Sequence, residues 1–257
     1  MDKLKKLRND LDMCDEVIVD ILRMRYQIIQ ELTNYKQEHN MPIVQPEEEQ
    51  RKLELVADKL NDYQYKKSII KVFENILYRS KRIQSRELFN CNIFLIGFMG
   101  VGKSTISKVL QNTFAMDVIE MDEIIAEKNG MSISEIFELH GEAYFRNEET
   151  NLLKECAGRR NVIVSCGGGV AMRPENIEEM KKSGKIVLLT ATPETILGRV
   201  ENNHDRPLLE NNKTVEHIAK LMEQRRPAYE AAADYVISTN DKNAFEICEE
   251  IIRKVTQ

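Results

Sequence analysis

The eight residues at 97–104 read GFMGVGKS and are the clearest candidates for chemistry in the chain. They stand between a short apolar run at 92–96 and a helical pattern at 105–114. A G-x-x-x-x-G-K-S pattern between a strand and a helix predicts a phosphate-binding P-loop, whose backbone N–H groups point at phosphate oxygens. In such a loop Lys103 contacts the β- and γ-phosphates of ATP, and Ser104 holds Mg²⁺. We therefore expect nucleotide contacts from six consecutive residues: Gly100, Val101, Gly102, Lys103, Ser104 and Thr105.

Other candidate residues follow the apolar runs that come after the P-loop. Asp122 closes the second run, where a carboxylate could accept a hydrogen bond from an acceptor hydroxyl. Three glycines at 167–169 follow the third run and would let a ligand approach bare backbone. Arg146 and Arg225 together suggest a bidentate clamp for a carboxylate. These residues predict a small acceptor that carries both a hydroxyl and a carboxylate.

A second set of polar side chains lies before residue 90. Arg25 occupies a position that the apolar repeat would otherwise give to a hydrophobic residue, and a buried arginine requires an anion opposite it. Lys36 returns to the same face eleven residues later, while Ser80 and Gln84 share a face of another predicted helix. Arg8 lies about a quarter turn from Arg25, so the Arg8 of a second copy is better placed to reach the same ligand.

Helices must position this second set. All 11 glycines lie at Gly97 or later, so the first ninety residues are predicted to be helical. We expect a first helix of about 35 residues, roughly 50 Å long, and shorter helices at 47–60 and 63–88. A domain this small cannot cover the long apolar stripe of the first helix, which predicts a homodimer built on it. The stripe comprises Leu4, Leu7, Leu11, Cys14, Ile18, Ile21, Ile28, Leu32 and Tyr35.

After residue 90, apolar runs alternate with helical stretches. This rhythm predicts a parallel five-stranded sheet that is covered on both faces and binds ligands at the carboxyl ends of its strands. The chain is thus predicted to contain an all-α three-helix domain at 1–89 and an α/β P-loop domain at 90–257. The expected strands lie at 92–96, 118–121, 162–165, 185–190 and 235–238.

Composition excludes several classes of protein. The net charge is −5 with both signs mixed along the chain, so no basic stripe indicates nucleic-acid binding. We expect no membrane contact and a cytoplasmic location, because the chain has no secretory signal and no run of 18 apolar residues. The five cysteines lack a C-x-x-C pair and are interpreted as reduced thiols, and the four histidines show no metal-ligand spacing.

Residues 92–257 resemble shikimate kinases. The resemblance implies phosphorylation of the 3-hydroxyl of shikimate by ATP. One departure is Glu120, because the family usually has Asp-x-Asp at this strand end, and we expect it to change metal affinity without abolishing activity. The matching segments are GFMGVGKS, Met121-Asp122, Phe145-Arg146, the glycines 167–169, Arg206-Pro207-Leu208-Leu209 and Arg225-x-Pro-x-Tyr229.

The resemblance also implies roles for single residues. Asp122 would bind the shikimate hydroxyls and aid proton removal. Arg206, in a lid at about 203–213, would close over the transferring phosphate, and Arg199 would pack on adenine. The carboxylate and ring of shikimate would be held by Arg146, Gly168 and Arg225.

Residues 1–88 resemble the all-helical class of chorismate mutases, which rearrange chorismate to prephenate. On this resemblance Arg25 and the Arg8 of a partner subunit grip carboxylates, and Glu49 orients the ring hydroxyl. Lys36 and Gln84 would face the ether oxygen, and Ser80 matches a further polar contact. The family usually reads Asp-x-x-Arg-Glu at the start of the second helix, whereas Gln45 and Glu48 stand here in place of the aspartate and arginine. The added negative charge would weaken activity.

Two alternatives remain for the helical half. It could be a non-catalytic dimerisation or feedback-sensing module that binds chorismate or prephenate. The whole chain could also be a nucleotide-binding regulator whose helical domain contacts a protein partner. The cations placed between the predicted helices argue against this regulator, because a surface that binds a protein partner does not need buried cations.

Overall fold

The computed structural model describes residues 2–39, 41, 45–200 and 214–256. The chain divides into two compact units, the first ending at Leu88 and the second beginning at Phe89. No helix in the described ranges is both long and apolar enough to cross a membrane.

The first unit consists of helices, as predicted. They are α1 (Asp2–Glu38), α2 (Pro46–Leu60) and α3 (Lys66–Leu88). α2 begins with a proline followed by three glutamates, a composition that suits the positive end of a helix. α3 begins three residues later than predicted, because the backbone at 61–65 forms turns in which the N–H of Tyr63 donates to the carbonyl of Leu60 and the N–H of Lys66 donates to that of Tyr63.

The second unit is built on five strands, all parallel, in the order β2-β3-β1-β4-β5. The predicted α/β fold with a parallel five-stranded sheet is therefore confirmed. The strands are β1 (Asn92–Ile96), β2 (Asp117–Glu120), β3 (Val162–Ser165), β4 (Gly184–Thr190) and β5 (Tyr235–Ser238).

Helices surround this sheet, and its central strand is buried on both faces. All five residues of β1 are buried, and successive side chains point to opposite faces. Phe94 and Ile96 pack in one apolar cluster with residues of the neighbouring strands and of the helices on that face. The helices of this unit are α4 (Lys103–Phe114), α5 (Met121–Asn129), α6 (Ile133–Cys156), α7 (Pro174–Ser183), α8 (Pro193–Val200), α9 (Val215–Ala232) and α10 (Ala244–Val255).

One predicted boundary was wrong in a way that matters for the site. β2 ends at Glu120, and Asp122 lies in the first turn of α5 instead of closing the strand. The strand and the helix join without a loop between them. Because parallel strands end at a common edge, this junction lies on the same side of the sheet as the P-loop after β1.

Candidate active sites

The P-loop occupies the turn between β1 and α4. Gly97 has a φ of 138°, and a Cβ atom there would lie 2.4 Å from the carbonyl oxygen of Leu189, so this position requires glycine. The Nζ of Lys103 donates to the carbonyl oxygens of Gly97 at 2.8 Å and Phe98 at 3.2 Å. The lysine therefore lies across the loop, where a phosphate group would meet it.

The P-loop forms one wall of a cavity of about 670 Å³, a volume in the range of small-molecule sites. The cavity also receives side chains from the ends of β2, β3 and β5. All six consecutive residues at 100–105 that are predicted to contact the nucleotide line it. The other residues used below that line it are Glu120, Asp122, Gly167, Gly168, Arg199 and Thr239.

The metal-binding position predicted at Ser104 has an oxygen-rich surrounding. The hydroxyl of Ser104 donates to Oε2 of Glu120 at 2.9 Å, and Asp122 lines the same cavity. A hydroxyl that gives its proton to a carboxylate keeps its lone pairs for a cation, and oxygen donors are the ligands that Mg²⁺ prefers. The residues present therefore fit Mg²⁺, and the longer Glu120 still reaches Ser104.

The glycines at 167–169 bring the two predicted clamp arginines to one loop. The Nη1 of Arg225 donates to the carbonyl oxygen of Gly168 at 3.3 Å, and the Tyr229 hydroxyl donates to the same oxygen. A Cβ atom at Gly169 would lie 2.3 Å from Nη1 of Arg146. Arg146 and Arg225 thus approach the loop at neighbouring residues, although neither lines the cavity described above.

Arg146 is already paired with carboxylates of its own helix. Its Nη1 donates to Oε2 of Glu149 at 2.8 Å, and its Nη2 donates to Oε1 of Glu142 at 2.9 Å. Burial acts to lower the pKa of Arg146, but the two carboxylates outweigh it and the pKa is raised. A ligand carboxylate at this arginine would have to share it with these glutamates.

Glu149 is the more unusual member of this group. Its side chain is fully buried, and its Oε1 has no hydrogen-bond partner among the described residues. Burial raises its pKa to about 7, the attraction of Arg146 acts to lower it, and the charge of Asp122 acts to raise it further. The sequence offered one signal for Glu149: it stands three residues after Arg146, on the same helix face.

Arg199 binds backbone on two sides of the cavity. Its Nη1 donates to the carbonyl oxygen of Val101 at 3.2 Å and to Oγ1 of Thr239 at 3.0 Å. Its Nη2 donates to the carbonyl oxygen of Thr239 at 3.1 Å. The residue predicted to pack on adenine therefore also connects the P-loop to the end of β5. The predicted lid and its Arg206 lie outside the described residues.

In the helical unit, two of the predicted residues are in direct contact. The Nη1 of Arg25 donates to the hydroxyl of Ser80, which itself donates to the carbonyl of Ile76 at 2.7 Å. Ser80 and Gln84 are buried on α3, and burial lowers the pKa of Arg25. Arg25 thus has a polar partner on α3, and within the part of the chain that the structure describes it forms no ion pair with a carboxylate.

Lys36 lies near the start of α2. It is buried, and its pKa is lowered first by burial and then by the charge of Lys52, against the attraction of Glu48 and Glu49. Glu49 forms an ion pair with Lys81 of α3 at 3.0 Å, a contact that the sequence did not suggest. Arg8 is exposed on α1, which is compatible with a contact to a ligand of a second copy.

The charge of Glu48 is largely neutralised within its own helix. Its two carboxylate oxygens accept hydrogen bonds from Arg51 at 2.5 Å and 2.8 Å, and Lys52 lies 3.9 Å away. The expected effect of this glutamate on a dianionic ligand is therefore reduced. Glu49 and Lys81 line a groove of about 370 Å³ between α2 and α3, and Arg25, Lys36, Ser80 and Gln84 do not line it.

Comparison with known proteins follows the division into two units. The protein-family model described as Shikimate kinase matches residues 99–256, and the one described as Chorismate mutase type II matches residues 7–85. A shikimate kinase of Caldanaerobacter subterraneus subsp. tengcongensis is 42% identical over 162 residues, which cover 63% of this chain and 94% of the relative. A shikimate kinase of Dehalococcoides mccartyi is 42% identical over 160 residues, covering 62% of this chain and 90% of the relative.

Solved structures match the same region. A shikimate kinase from Acinetobacter baumannii in complex with shikimate aligns with a TM-score of 0.62 at 32% identity, covering 66% of this chain and 95% of that chain. A shikimate kinase from Aquifex aeolicus aligns with a TM-score of 0.56 at 36% identity, covering 63% of this chain and 95% of that chain.

Proposed function

The chain belongs to the shikimate kinase family, and on that basis we propose that its residues 90–257 transfer a phosphate group from ATP to the 3-hydroxyl of shikimate. The observation that carries this proposal is the convergence of the P-loop, Asp122 and the glycine loop on one cavity. Residues 1–89 catalyse the rearrangement of chorismate to prephenate. Both reactions belong to aromatic amino acid biosynthesis.

Positioning and electrostatics perform the phosphate transfer. The P-loop N–H groups and Lys103 hold the phosphates, and Ser104 with Glu120 provides the oxygen ligands for Mg²⁺. Mg²⁺ held there would supply positive charge against the phosphates of ATP. Asp122 accepts the hydrogen bond of the attacking hydroxyl and aids removal of its proton.

Shikimate lies against the glycine loop. Arg225 and Arg146 approach this loop at Gly168 and Gly169, so a carboxylate placed there meets both guanidinium groups. Arg146 keeps its contact with Glu149, whose protonation near neutral pH lessens the competition for the guanidinium. Arg206, which lies outside the described residues, is proposed to contact the transferring phosphate, as the family resemblance implies.

The mutase reaction uses the polar set of the helical unit. Arg25 grips a carboxylate of chorismate, and Lys36 with Gln84 faces the ether oxygen, on which negative charge grows in the transition state. Burial of Lys36 favours this role, because a cation with few water neighbours acts more strongly on a ligand. Glu49 orients the ring hydroxyl, and Ser80 fixes Arg25.

Catalysis is favoured over a sensor or dimerisation role for this unit. The chorismate mutase type II model matches residues 7–85, which include all six predicted chorismate contacts. The cations of α1 also have no obvious role in a module that only joins two subunits. The same match argues against a regulator that contacts a protein partner.

We further propose that the protein is a homodimer of the cytoplasm. The apolar stripe of α1 is exposed in one chain, with eight of its side chains between 37% and 63% exposed: Leu4, Leu7, Leu11, Ile18, Ile21, Ile28, Leu32 and Tyr35. A second α1 would cover this stripe and bring its Arg8 toward the Arg25 of the first chain. The proposed small-molecule partners are ATP, shikimate and chorismate.

The direct experiment measures ADP formation by the purified protein with ATP and shikimate, and separately measures prephenate formation with chorismate alone. We expect ADP formation that requires shikimate and Mg²⁺, and formation of prephenate in the absence of ATP. If ADP forms equally without shikimate, the assigned acceptor is wrong.

Lys36→Ala separates the mutase from a sensor. Removing a cation at the ether oxygen is expected to lower kcat for chorismate by about 10²- to 10³-fold. Lys59→Ala, an exposed lysine in the last turn of α2, serves as the control and should leave the rate unchanged. An unchanged rate in Lys36→Ala would favour the sensor.

A further inference from the structure

Ser107 lies behind the candidate metal position, one helical turn after Ser104 on α4. Its side chain is fully buried and does not line the cavity. Its Oγ lies 3.0 Å from the carbonyl oxygen of Ser104 and makes a shorter hydrogen bond with Oε1 of Glu120. A hydroxyl has one proton, and a carboxylate is the stronger acceptor, so Ser107 donates to Glu120.

Glu120 is therefore held at both of its oxygens. Ser107 holds Oε1, and Oε2 accepts the proton of Ser104 at 2.9 Å. The two serines stand at i and i+3, so both hydroxyls face the end of β2 from the same side of α4. This double contact matters because a glutamate side chain has one more rotatable bond than an aspartate and requires more restraint to keep one carboxylate position.

We propose that Ser107 is a positioning residue for the metal–nucleotide site. By holding Oε1 of Glu120, it keeps Oε2 as the acceptor of the Ser104 proton. The lone pairs of Ser104 then face the cation, as a hydroxyl ligand requires. Ser107 contacts neither nucleotide nor metal in this arrangement and acts through Glu120. The inference rests on the proposed kinase function and adds a residue to it.

The test measures ADP binding to the full-length protein by calorimetry, with saturating Mg²⁺ and with EDTA. Ser107→Ala should weaken ADP binding in Mg²⁺ about tenfold, as is usual when a group that orients a metal ligand is lost. Binding in EDTA should change less than about twofold, because the P-loop contacts remain. The Mg²⁺ concentration that gives half-maximal kinase activity should rise accordingly.

A matched control separates this effect from general destabilisation. Ser132 also forms hydrogen bonds with a glutamate, in the capping box that it makes with Glu135 at the start of α6. It does not line the cavity. Ser132→Ala should lower the unfolding temperature but leave the ratio of the two ADP affinities unchanged. Ser107→Ala must change that ratio.

A second variant tests whether Ser107 acts through Glu120. Glu120→Asp shortens the side chain by one methylene, so its carboxylate can no longer span both hydroxyls. In this background Ser107→Ala should cause no further change in the affinity ratio. Equal loss of ADP binding in Mg²⁺ and EDTA, or an additive effect in the Glu120→Asp background, would overturn the inference. A wild-type protein that binds no ADP in Mg²⁺ would instead overturn the proposed kinase function.

Discussion

At the scale of single residues, Glu149 and Arg146 form an ion pair in which the glutamate loses its charge when it is protonated. The pKa of Glu149 is raised to about 7, chiefly by burial, so its carboxyl group is about half protonated at neutral pH. The ordinary pKa of a glutamate is 4.5, so the folded protein holds this proton more tightly than the unfolded chain does. The stabilising contribution of the protonated group is complete below about pH 4.5 and is lost as the pH rises through 7.

Glu149→Gln should therefore change how the stability of the kinase unit depends on pH. In the wild-type protein this one group should reduce the free energy of unfolding by about 3 kcal/mol between pH 4.5 and pH 8. Glutamine keeps the shape of the protonated acid and has no charge to bury, so the variant should lack that decline. Denaturant unfolding followed by circular dichroism at several pH values measures this decline. The transition of the kinase unit is the one that ADP shifts.

Glu142→Gln is the control for this prediction. Glu142 also pairs with Arg146, but its side chain is 65% exposed, and its removal should leave the pH dependence close to that of the wild type. The free energy of unfolding of the wild-type protein should fall between pH 5 and pH 8. An unchanged value across this range, in the wild type and in Glu142→Gln alike, would contradict the assignment to Glu149.

At the scale of elements, α1 is a long helix that buries few of its residues within one chain. Its 37 residues contain only three buried ones, Ile29, Thr33 and Lys36. A helix of this length gains most of its stability from packing an apolar face, and one face of α1 is exposed. The proposed dimer would supply that packing.

Leu11→Lys with Ile18→Lys should prevent the dimer and the mutase reaction together. Two lysines in the stripe place charges where the second α1 would pack, and the partner's Arg8 would no longer reach Arg25. We expect a monomer in analytical ultracentrifugation and a loss of mutase activity of at least tenfold, since a carboxylate contact is removed. Kinase activity should remain.

Glu16→Lys is the matched control, because Glu16 lies on the side of α1 away from the stripe and is exposed. It should leave both the dimer and the mutase rate intact. A double-lysine variant that sediments like the wild-type protein would contradict the proposed role of the stripe.

At the scale of the whole molecule, the two activities use separate sets of residues. Every proposed chorismate contact lies before Leu88, and every proposed contact of ATP or shikimate lies after Phe89. The two reactions are not consecutive steps of the pathway, so the assignments do not require direct passage of a product between sites.

Lys103→Ala tests this independence. Loss of the lysine that lies across the P-loop should lower phosphate transfer by at least about 10²-fold, because its charge stabilises the transferring phosphate. The mutase rate of the same preparation should stay within about twofold of the wild type. An equal fall in both activities would show that the proposed division of the chain is wrong.

Local patterns in the sequence were enough to predict the helices, the strands and the P-loop. The change from a glycine-free helical region to alternating apolar runs is a local pattern, and local patterns predict helices and strands well when they are long and regular. The P-loop motif is also local, because one loop supplies most of its phosphate contacts. Asp122 was identified as a candidate, yet its place in α5 depended on a helix start without a cap signal in the sequence.

The hydrogen bonds and ion pairs between distant side chains could be identified only in the folded chain. Arg25 meets Ser80 across 55 residues of chain, and Glu120 meets Ser104 and Ser107 across 16 and 13. The ion pair of Glu49 and Lys81 and the burial of Glu149 arise in the same way. Such contacts depend on how helices and strands pack, and no periodicity along the chain records the distance between two side chains on different elements.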